Sequence, residues 1–83
     1  MYRVVFSRIA EKDIEKAHQE HKSHIFAALF DLRKNPYAGK KLKGKFQDYC
    51  SLRIGPYRII YKIYKIQLTI FIIRIGPRQG IYK

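Results

Sequence analysis

The apolar positions of the first 35 residues predict a short strand followed by two helices. Tyr2–Phe6 is a β-branched and aromatic run, which is typical of a strand, and Ser7 is a residue type that caps helix N termini. Ile14 and Ala17 can line one face of a first helix. A second helix is indicated by apolar residues at i, i+3, i+4 and i+7: Ile25, Ala28, Leu29 and Leu32.

The two helices are expected to form a hairpin with a break near His18–Ser23. The second helix should stop at Asn35-Pro36, because the residue before a proline is disfavoured in a helix.

From Phe46 onward the apolar period changes to two, which predicts strands. Three runs show it: one contains Cys50, Leu52 and Ile54, the next contains Ile59, Tyr61 and Ile63, and the last covers Leu68–Ile75. The element order predicts an α+β fold, with an N-terminal strand, a helical hairpin and a three-strand antiparallel meander. Chain direction through that order makes the first and last strands antiparallel, so they could close a four-stranded sheet with both helices on one face.

The dipeptide Gly55-Pro56 suits a two-residue type II′ turn and would set the register of the first meander hairpin. The expected pairs are Ile54–Tyr57, Arg53–Arg58, Leu52–Ile59, Ser51–Ile60, Cys50–Tyr61 and Tyr49–Lys62. One face of this hairpin is apolar. The other face carries Arg53 directly opposite Arg58, with Ser51, Tyr49 and Lys62 nearby.

Composition limits the domain number and the partners. The chain has 83 residues, which support a single core, so we expect one domain over residues 1–83. Its net charge is +12, and residues 36–83 contribute +10 of it. Such a balance favours a polyanionic partner: nucleic acid, an anionic membrane or an acidic protein.

The opposed arginines are the best candidate for an anion site, because they repel each other unless an anion lies between them. Arg78 and the lysine run Lys40, Lys41, Lys43 and Lys45 could extend the same patch. Tyr49 is the candidate for stacking on a base, and Lys62 is a further cation for RNA. Ile60, Phe71 and Ile73 would leave this face partly apolar, which predicts a protein segment docked over part of it.

Other kinds of site are poorly supported. Cys50 is the single cysteine, which excludes an internal disulfide framework and a cysteine-based zinc knuckle and favours a reducing cytoplasm. No apolar run approaches the ~18 residues of a membrane span, so no membrane partner is expected. Asp48 is the only acid after residue 31, and three histidines are spread around a helix, so neither a metal nor a cofactor is predicted.

Blocks along most of the chain, from about Tyr2 to Tyr82, resemble the RelE/ParE toxin superfamily. They are Phe6-Ser7 with Ala10 and Lys12-Asp13-Ile14, Leu42-Lys43-Gly44, Leu52-Arg53-Ile54-Gly55, Tyr57-Arg58-Ile59-Ile60-Tyr61, Ile75-Gly76-Pro77-Arg78, and Ile81-Tyr82. The resemblance implies the toxin of a type II toxin–antitoxin pair, silenced by an acidic, RelB-like antitoxin. RelE-type members cut messenger RNA in the ribosomal A site, whereas ParE-type members act on DNA gyrase.

The resemblance also implies roles for individual residues. Arg58 would stabilise the scissile phosphate, and Arg78 would contact it and assist the leaving group. Tyr82 would act as general base on the ribose 2′-hydroxyl, and Lys43 and Arg53 would support the transition state. Two features depart from the pattern: Ser51 stands at a basic position of the second strand, and Tyr82 follows Arg78 by only four residues.

These inferences predict a ribosome-dependent, metal-independent mRNA endoribonuclease in which RNA supplies its own nucleophile. Two alternatives remain open. One is a ParE-like gyrase inhibitor without chemistry of its own, and the other is a non-catalytic module that binds RNA or its antitoxin.

Overall fold

The computed structural model describes residues 1–77. Its elements in chain order are β1 (Arg3–Phe6), α1 (Arg8–Lys16), α2 (Gln19–Lys34), β2 (Lys40–Lys41), β3 (Cys50–Ile54), β4 (Tyr57–Tyr64) and β5 (Thr69–Pro77). Single turns of 3₁₀ helix at Pro36–Ala38 and Gly44–Phe46 flank β2. The strands form one sheet in the order β1-β5-β4-β3-β2, so the α+β class is confirmed.

The sheet differs from the expectation in two linked ways. It has five strands rather than four, because the dipeptide Lys40–Lys41 pairs with β3 as an extra antiparallel strand. That strand adds one reversal of chain direction before the meander. The first and last strands, β1 and β5, are therefore parallel and not antiparallel as predicted.

The helical hairpin is confirmed, with a shorter break than expected. Ser7 caps α1, accepting a hydrogen bond from the Ala10 amide at 3.0 Å. Only Ala17 and His18 separate the helices, so the predicted break at His18–Ser23 is wrong over its last five residues. The end of α2 before Asn35 and Pro36 agrees with the prediction.

The β3–β4 register is the predicted one from Ile54–Tyr57 to Cys50–Tyr61. Gly55 has a φ of 57°, the positive value that the tight turn requires. The β3–β4 ladder begins at the Cys50–Tyr61 pair, so the expected Tyr49–Lys62 pair is not part of it. A bulge between Ile60 and Tyr61 shifts the pairing of β4 with β5.

Both helices pack on one face of the sheet, as predicted. Their buried residues join one apolar cluster with the inner face of the strands: Ala10, Ala17, Ile25, Leu29, Leu32, Ile59, Tyr61, Ile70, Ile72 and Ile75. Tyr61 is fully buried, and its hydroxyl donates to the Pro36 carbonyl at 2.8 Å and accepts from the Gly39 amide at 3.0 Å. These bonds fix the segment before β2 to the centre of the sheet.

Helix α1 covers the part of the β5 edge that the short strand β1 leaves open. The Ser7 hydroxyl donates to the Ile73 carbonyl at 2.8 Å. The Asp13 carboxylate accepts the Ile75 amide at 2.9 Å, so side chains complete the ladder where β1 has ended. Neither α1 nor α2 is both long and apolar enough to cross a membrane.

Candidate functional site

The face of the sheet away from the helices carries the opposed arginines. Arg53 of β3 lies directly opposite Arg58 of β4, as predicted. Arg53 is exposed and Arg58 is half-buried. Within residues 1–77 neither of them forms an ion pair, so their combined charge is not neutralised by a carboxylate.

Ser51 holds the Arg58 guanidinium in place. It lies on β3 two residues before Arg53, is 3% exposed, and accepts a hydrogen bond from Arg58 Nη1 at 2.8 Å. Arg58 Nε is enclosed and has no acceptor among the described residues. The guanidinium is thus oriented through one nitrogen and keeps donors for a further acceptor, which suits an anion.

The role of Ser51 was not recognised from the sequence, where the serine counted only as a missing cation. The available signal was the register, which places Ser51 on the same face as Arg58 and near it. The short Ser51 hydroxyl can accept a hydrogen bond from the Arg58 guanidinium at 2.8 Å. A basic side chain at position 51 would instead repel it.

Arg74 is a further arginine on this face that the sequence analysis did not assign to the site. It lies on β5 opposite Ile60, and its Nε is 3.3 Å from Asp13 Oδ2. The only sequence signal was that Arg74-Ile75-Gly76-Pro77 repeats the Arg-Ile-Gly-Pro motif at residues 53–56. Asp13 partly neutralises Arg74, so Arg53 and Arg58 remain the less compensated pair.

The apolar part of this face is smaller than predicted. Ile60 is only 4% exposed, because it lies between Ser51 and Arg74 on the neighbouring strands. Phe71 and Ile73 are half-buried. What remains exposed is a strip beside β1 that includes Val5, whose exposed fraction is 36%.

The two lysines of β2 point to opposite sides of the sheet. Lys40 pairs with Ser51 and therefore shares the face of Arg58. Lys41 pairs with Cys50 and lies on the other face, away from the arginines. The predicted single patch of four lysines is thus divided by the edge strand.

The remaining predicted RNA contacts lie in and around the loop before β3. Lys43 lines an open cleft of about 470 Å³ together with Lys41, Gln47 and Asp48. Lys45 places its ammonium 5.4 Å from the ring centre of Phe46.

Two other predicted RNA contacts pack against neighbouring rings. The Tyr49 and Phe46 ring centres are 6.2 Å apart, which leaves Tyr49 half-buried. Lys62 lies on β4, with its ammonium 5.2 Å from the ring centre of Tyr64.

Two predicted catalytic residues, Arg78 and Tyr82, lie outside the described residues. The last described strand ends at Pro77, and Gly76 pairs with Arg58.

The raised pKa of Tyr61 makes this buried residue a poor general base near neutral pH. Burial, and after it the neighbouring Cys50, raises the pKa of Tyr61 to about 12, although the hydrogen bond from the Gly39 amide opposes the shift. Burial also raises the pKa of the Cys50 thiol, while the positive charge of Lys41 opposes that shift. Tyr61 is thus a neutral, structural hydrogen-bonding group, as expected of a core tyrosine.

Among residues 1–77, no three side chains of histidine, cysteine, aspartate or glutamate come together in a way that could hold a metal ion. The ring centres of His18 and His21 are 6.3 Å apart. His21 packs instead against the ring of Tyr57, at 5.1 Å.

Comparisons with known proteins agree with this architecture. The family of ParE toxins of type II toxin–antitoxin systems (parDE) matches residues 4–82. Toxin RelG of Mycobacterium tuberculosis is 31% identical over 84 residues, covering 99% of this chain and 97% of the relative.

Solved structures give the same grouping. The RelBE2 toxin–antitoxin complex of Mycobacterium tuberculosis matches with a TM-score of 0.87 and 30% identity, over 93% of this chain and 98% of that one. The isolated E. coli RelE toxin has the same fold, with a TM-score of 0.82 at 23% identity, over 99% and 92% of the two chains. The chain therefore belongs to the RelE/ParE superfamily of toxins of type II toxin–antitoxin systems.

Proposed function

We propose that this toxin is a metal-independent endoribonuclease that cleaves messenger RNA on the ribosome. The observation that carries the proposal is the arginine pair of the open sheet face. Arg58 is oriented by Ser51 at 2.8 Å, lies opposite Arg53, and has no carboxylate partner within residues 1–77. An uncompensated guanidinium pair, of which Arg58 is preorganised by Ser51, stabilises the negative charge that develops on a phosphate during attack.

The chemistry needs no nucleophile from the protein. The 2′-oxygen of the ribose attacks phosphorus, the bond from phosphorus to the 5′-oxygen breaks, and a 2′,3′-cyclic phosphate and a 5′-hydroxyl form. A base takes the 2′-hydroxyl proton, and the leaving 5′-oxygen receives a proton. In this proposal Arg58 and Arg53 bind the non-bridging oxygens, Lys43 adds positive charge, Arg78 assists the leaving group, and Tyr82 is the base.

Two partners belong to the proposal. Two of the similar solved structures are RelBE2 of Mycobacterium tuberculosis and intact E. coli RelBE, which are toxin–antitoxin complexes. We therefore expect a cognate acidic antitoxin for this toxin as well. The ribosome, as a polyanion, suits the net charge of +12, and this site of action is the cytoplasm.

The proposal is tested in a translation reaction with purified protein and EDTA, by mapping the 5′ ends of the messenger RNA. Wild-type protein should cut within the A-site codon. Arg58→Ala should lower cleavage at least 100-fold, the order of the loss when one transition-state donor is removed. Arg8→Ala, an exposed arginine on α1, is the matched control and should cleave normally. Equal cleavage by Arg58→Ala and wild type would refute the assignment.

A gyrase inhibitor is the second candidate, because the matching family is that of ParE toxins. A DNA supercoiling assay with purified gyrase separates the two. Inhibition of supercoiling without any RNA product supports the second candidate and overturns the first.

A further inference from the structure

A second cationic cleft lies beside the edge strand β2. It has a volume of about 360 Å³, and the lining residues that matter here are Tyr37, Lys41, Asp48, Cys50, Lys62 and Lys65. Lys41 shares the sheet face of Cys50, opposite to the face of Arg58. We call it the Tyr37 cleft.

The Tyr37 cleft has an excess of positive charge. Three lysines line it, and Asp48 is the one carboxylate among its described lining residues. None of these lysines forms an ion pair with an acidic side chain within residues 1–77. The positive charge of Lys41 also acts on Cys50, because it opposes the rise that burial causes in the pKa of the Cys50 thiol. Such a cleft favours a ligand with a negative group.

Tyr37 adds an exposed aromatic ring to this charge. The side chain is 57% exposed, and the ammonium of Lys65 is 5.6 Å from the ring centre. A tyrosine beside a lysine is the combination that binds an unpaired base by stacking and the neighbouring phosphate by charge.

The backbone under Tyr37 is held rigidly. Its amide donates to the Asn35 side chain at 3.3 Å. On either side, the Pro36 carbonyl and the Gly39 amide bind the buried hydroxyl of Tyr61. The ring thus stands on a preorganised turn, so stacking does not first have to order the segment.

The two cationic surfaces adjoin each other at β2. Lys40 pairs with Ser51, whose hydroxyl binds Arg58, while the next residue, Lys41, pairs with Cys50 beside the cleft. Neighbouring strands are about 4.8 Å apart, so the edge strand lies roughly 10 Å from β4. A flexible single strand can cross this edge with one phosphate on each side.

We propose that the Tyr37 cleft is a second nucleotide subsite, which takes an unpaired base and its phosphate from single-stranded RNA. The base stacks on Tyr37, and Lys41, Lys62 and Lys65 bind the phosphate. The identity of the ligand as RNA rests on the proposed function, but binding in this subsite does not require cleavage.

The test uses Cys50, the single cysteine of the chain, as a reporter of occupancy. The rate of Cys50 alkylation is measured with and without a four-nucleotide 2′-O-methyl RNA, which lacks the attacking hydroxyl and cannot be cut. The RNA should slow alkylation several-fold in the wild type and in the control Arg8→Ala, whose exposed arginine lies on α1. It should not slow alkylation in Tyr37→Ala.

Affinity for the same RNA, measured by fluorescence anisotropy, provides the second readout. Tyr37→Ala should weaken binding roughly 10-fold or more, the usual loss for one stacked base. Lys65→Ala should weaken it several-fold. Lys34→Ala is the matched control, because Lys34 is also exposed and lies 4.8 Å from an aromatic ring, that of Phe30, on α2. It should bind RNA as the wild type does.

Three results would overturn the subsite. They are unchanged RNA affinity of Tyr37→Ala, no protection of Cys50 by RNA, and equal protection by a polyglutamate peptide, which would indicate an acidic protein as the ligand. Protection of Cys50 without any cleavage in the translation reaction would instead overturn the proposed function and leave the subsite standing.

Discussion

At the scale of single residues, Ser51 shows how a missing charge can serve a cationic site. A basic side chain at this position would lie beside Arg58 and repel it. The buried hydroxyl instead accepts from Nη1 at 2.8 Å and selects one orientation of the guanidinium. Orientation without neutralisation leaves the full positive charge available to a phosphate.

Ser51→Ala is expected to slow RNA cleavage about 10-fold, because the loss of one hydrogen bond to a charged group costs about 1.5 kcal/mol or more. The measurement is the single-turnover cleavage rate on translated messenger RNA. Ser23→Ala, an exposed serine on α2, is the control and should cleave at the wild-type rate. Wild-type cleavage by Ser51→Ala would show that Arg58 does not need this contact.

Tyr61 predicts a loss of stability at alkaline pH. Its pKa is raised to about 12 in the folded protein, above the ordinary value of about 10. Between pH 10 and 12 the unfolded chain loses this proton while the folded chain keeps it. The stabilisation is therefore fully present below pH 10 and declines by up to about 1.4 kcal/mol per pH unit as the pH rises towards 12.

The pH effect is measured by denaturant unfolding at pH 9, 10 and 11. Tyr61→Phe should be less stable at pH 9 but should show a shallower decline than the wild type. Tyr64→Phe, at an exposed tyrosine, should decline as steeply as the wild type. Parallel declines in all three proteins would contradict an ionisation coupled to folding at Tyr61.

At the scale of elements, the two-residue strand β2 determines how the sheet is ordered and where the loop lysines lie. Its two residues pair with β3, reverse the chain once more before the meander, and so make β1 and β5 parallel. It also divides the loop lysines between two faces. The segment before it is fixed by the hydroxyl of Tyr61 and passes close to β3 at Gly39.

Gly39→Ala is expected to destabilise the protein by at least about 2 kcal/mol, because the added methyl group would overlap the Tyr61 hydroxyl and the Ser51 carbonyl oxygen. The free energy of unfolding from denaturant titration measures the effect. Gly44→Ala serves for comparison, because its φ of 70° strains alanine while open space surrounds it, and it should cost about 1 kcal/mol. Equal costs for the two would show that the segment before β2 yields easily.

The elements whose apolar pattern repeats over many residues were predictable. So was the hairpin around Gly55-Pro56, because its turn fixes the register of the two strands. Strand β2 was not, because Lys-Lys carries no alternation and the pairing depends on β3. The start of α2 was missed since its first turn is polar on all sides. For the candidate site, the Arg53–Arg58 pair followed from the register, whereas the Ser51 contact and the Arg74–Asp13 ion pair depend on tertiary packing.

At the scale of the whole molecule, 18 lysines and arginines against 6 acidic residues give a field that attracts any polyanion. Specific contact and general attraction are distinguished by the salt dependence of binding. A released counterion changes the slope of the logarithm of affinity against the logarithm of salt concentration by about 0.7 for single-stranded RNA.

Arg53→Ala and Arg58→Ala should each flatten that slope by about 0.7, measured by anisotropy with 2′-O-methyl RNA between 50 and 200 mM salt, roughly the range over which such contacts are lost. The exposed Arg8 lies on α1, away from the arginine face, so Arg8→Ala should leave the slope unchanged. Slopes that fall equally in all three variants would indicate diffuse attraction rather than a phosphate site.

The parallel pairing of β1 with β5 also bears on when the protein becomes folded during its own synthesis. Strand β1 leaves the ribosome well before its partner β5, and Ser7 bonds to Ile73 across a separation of 66 residues. Folding with such high contact order cannot be completed on a partial chain. The β5 residue Gly76, which faces Arg58, arrives later still. The cationic face is thus assembled only after β5 has left the ribosome.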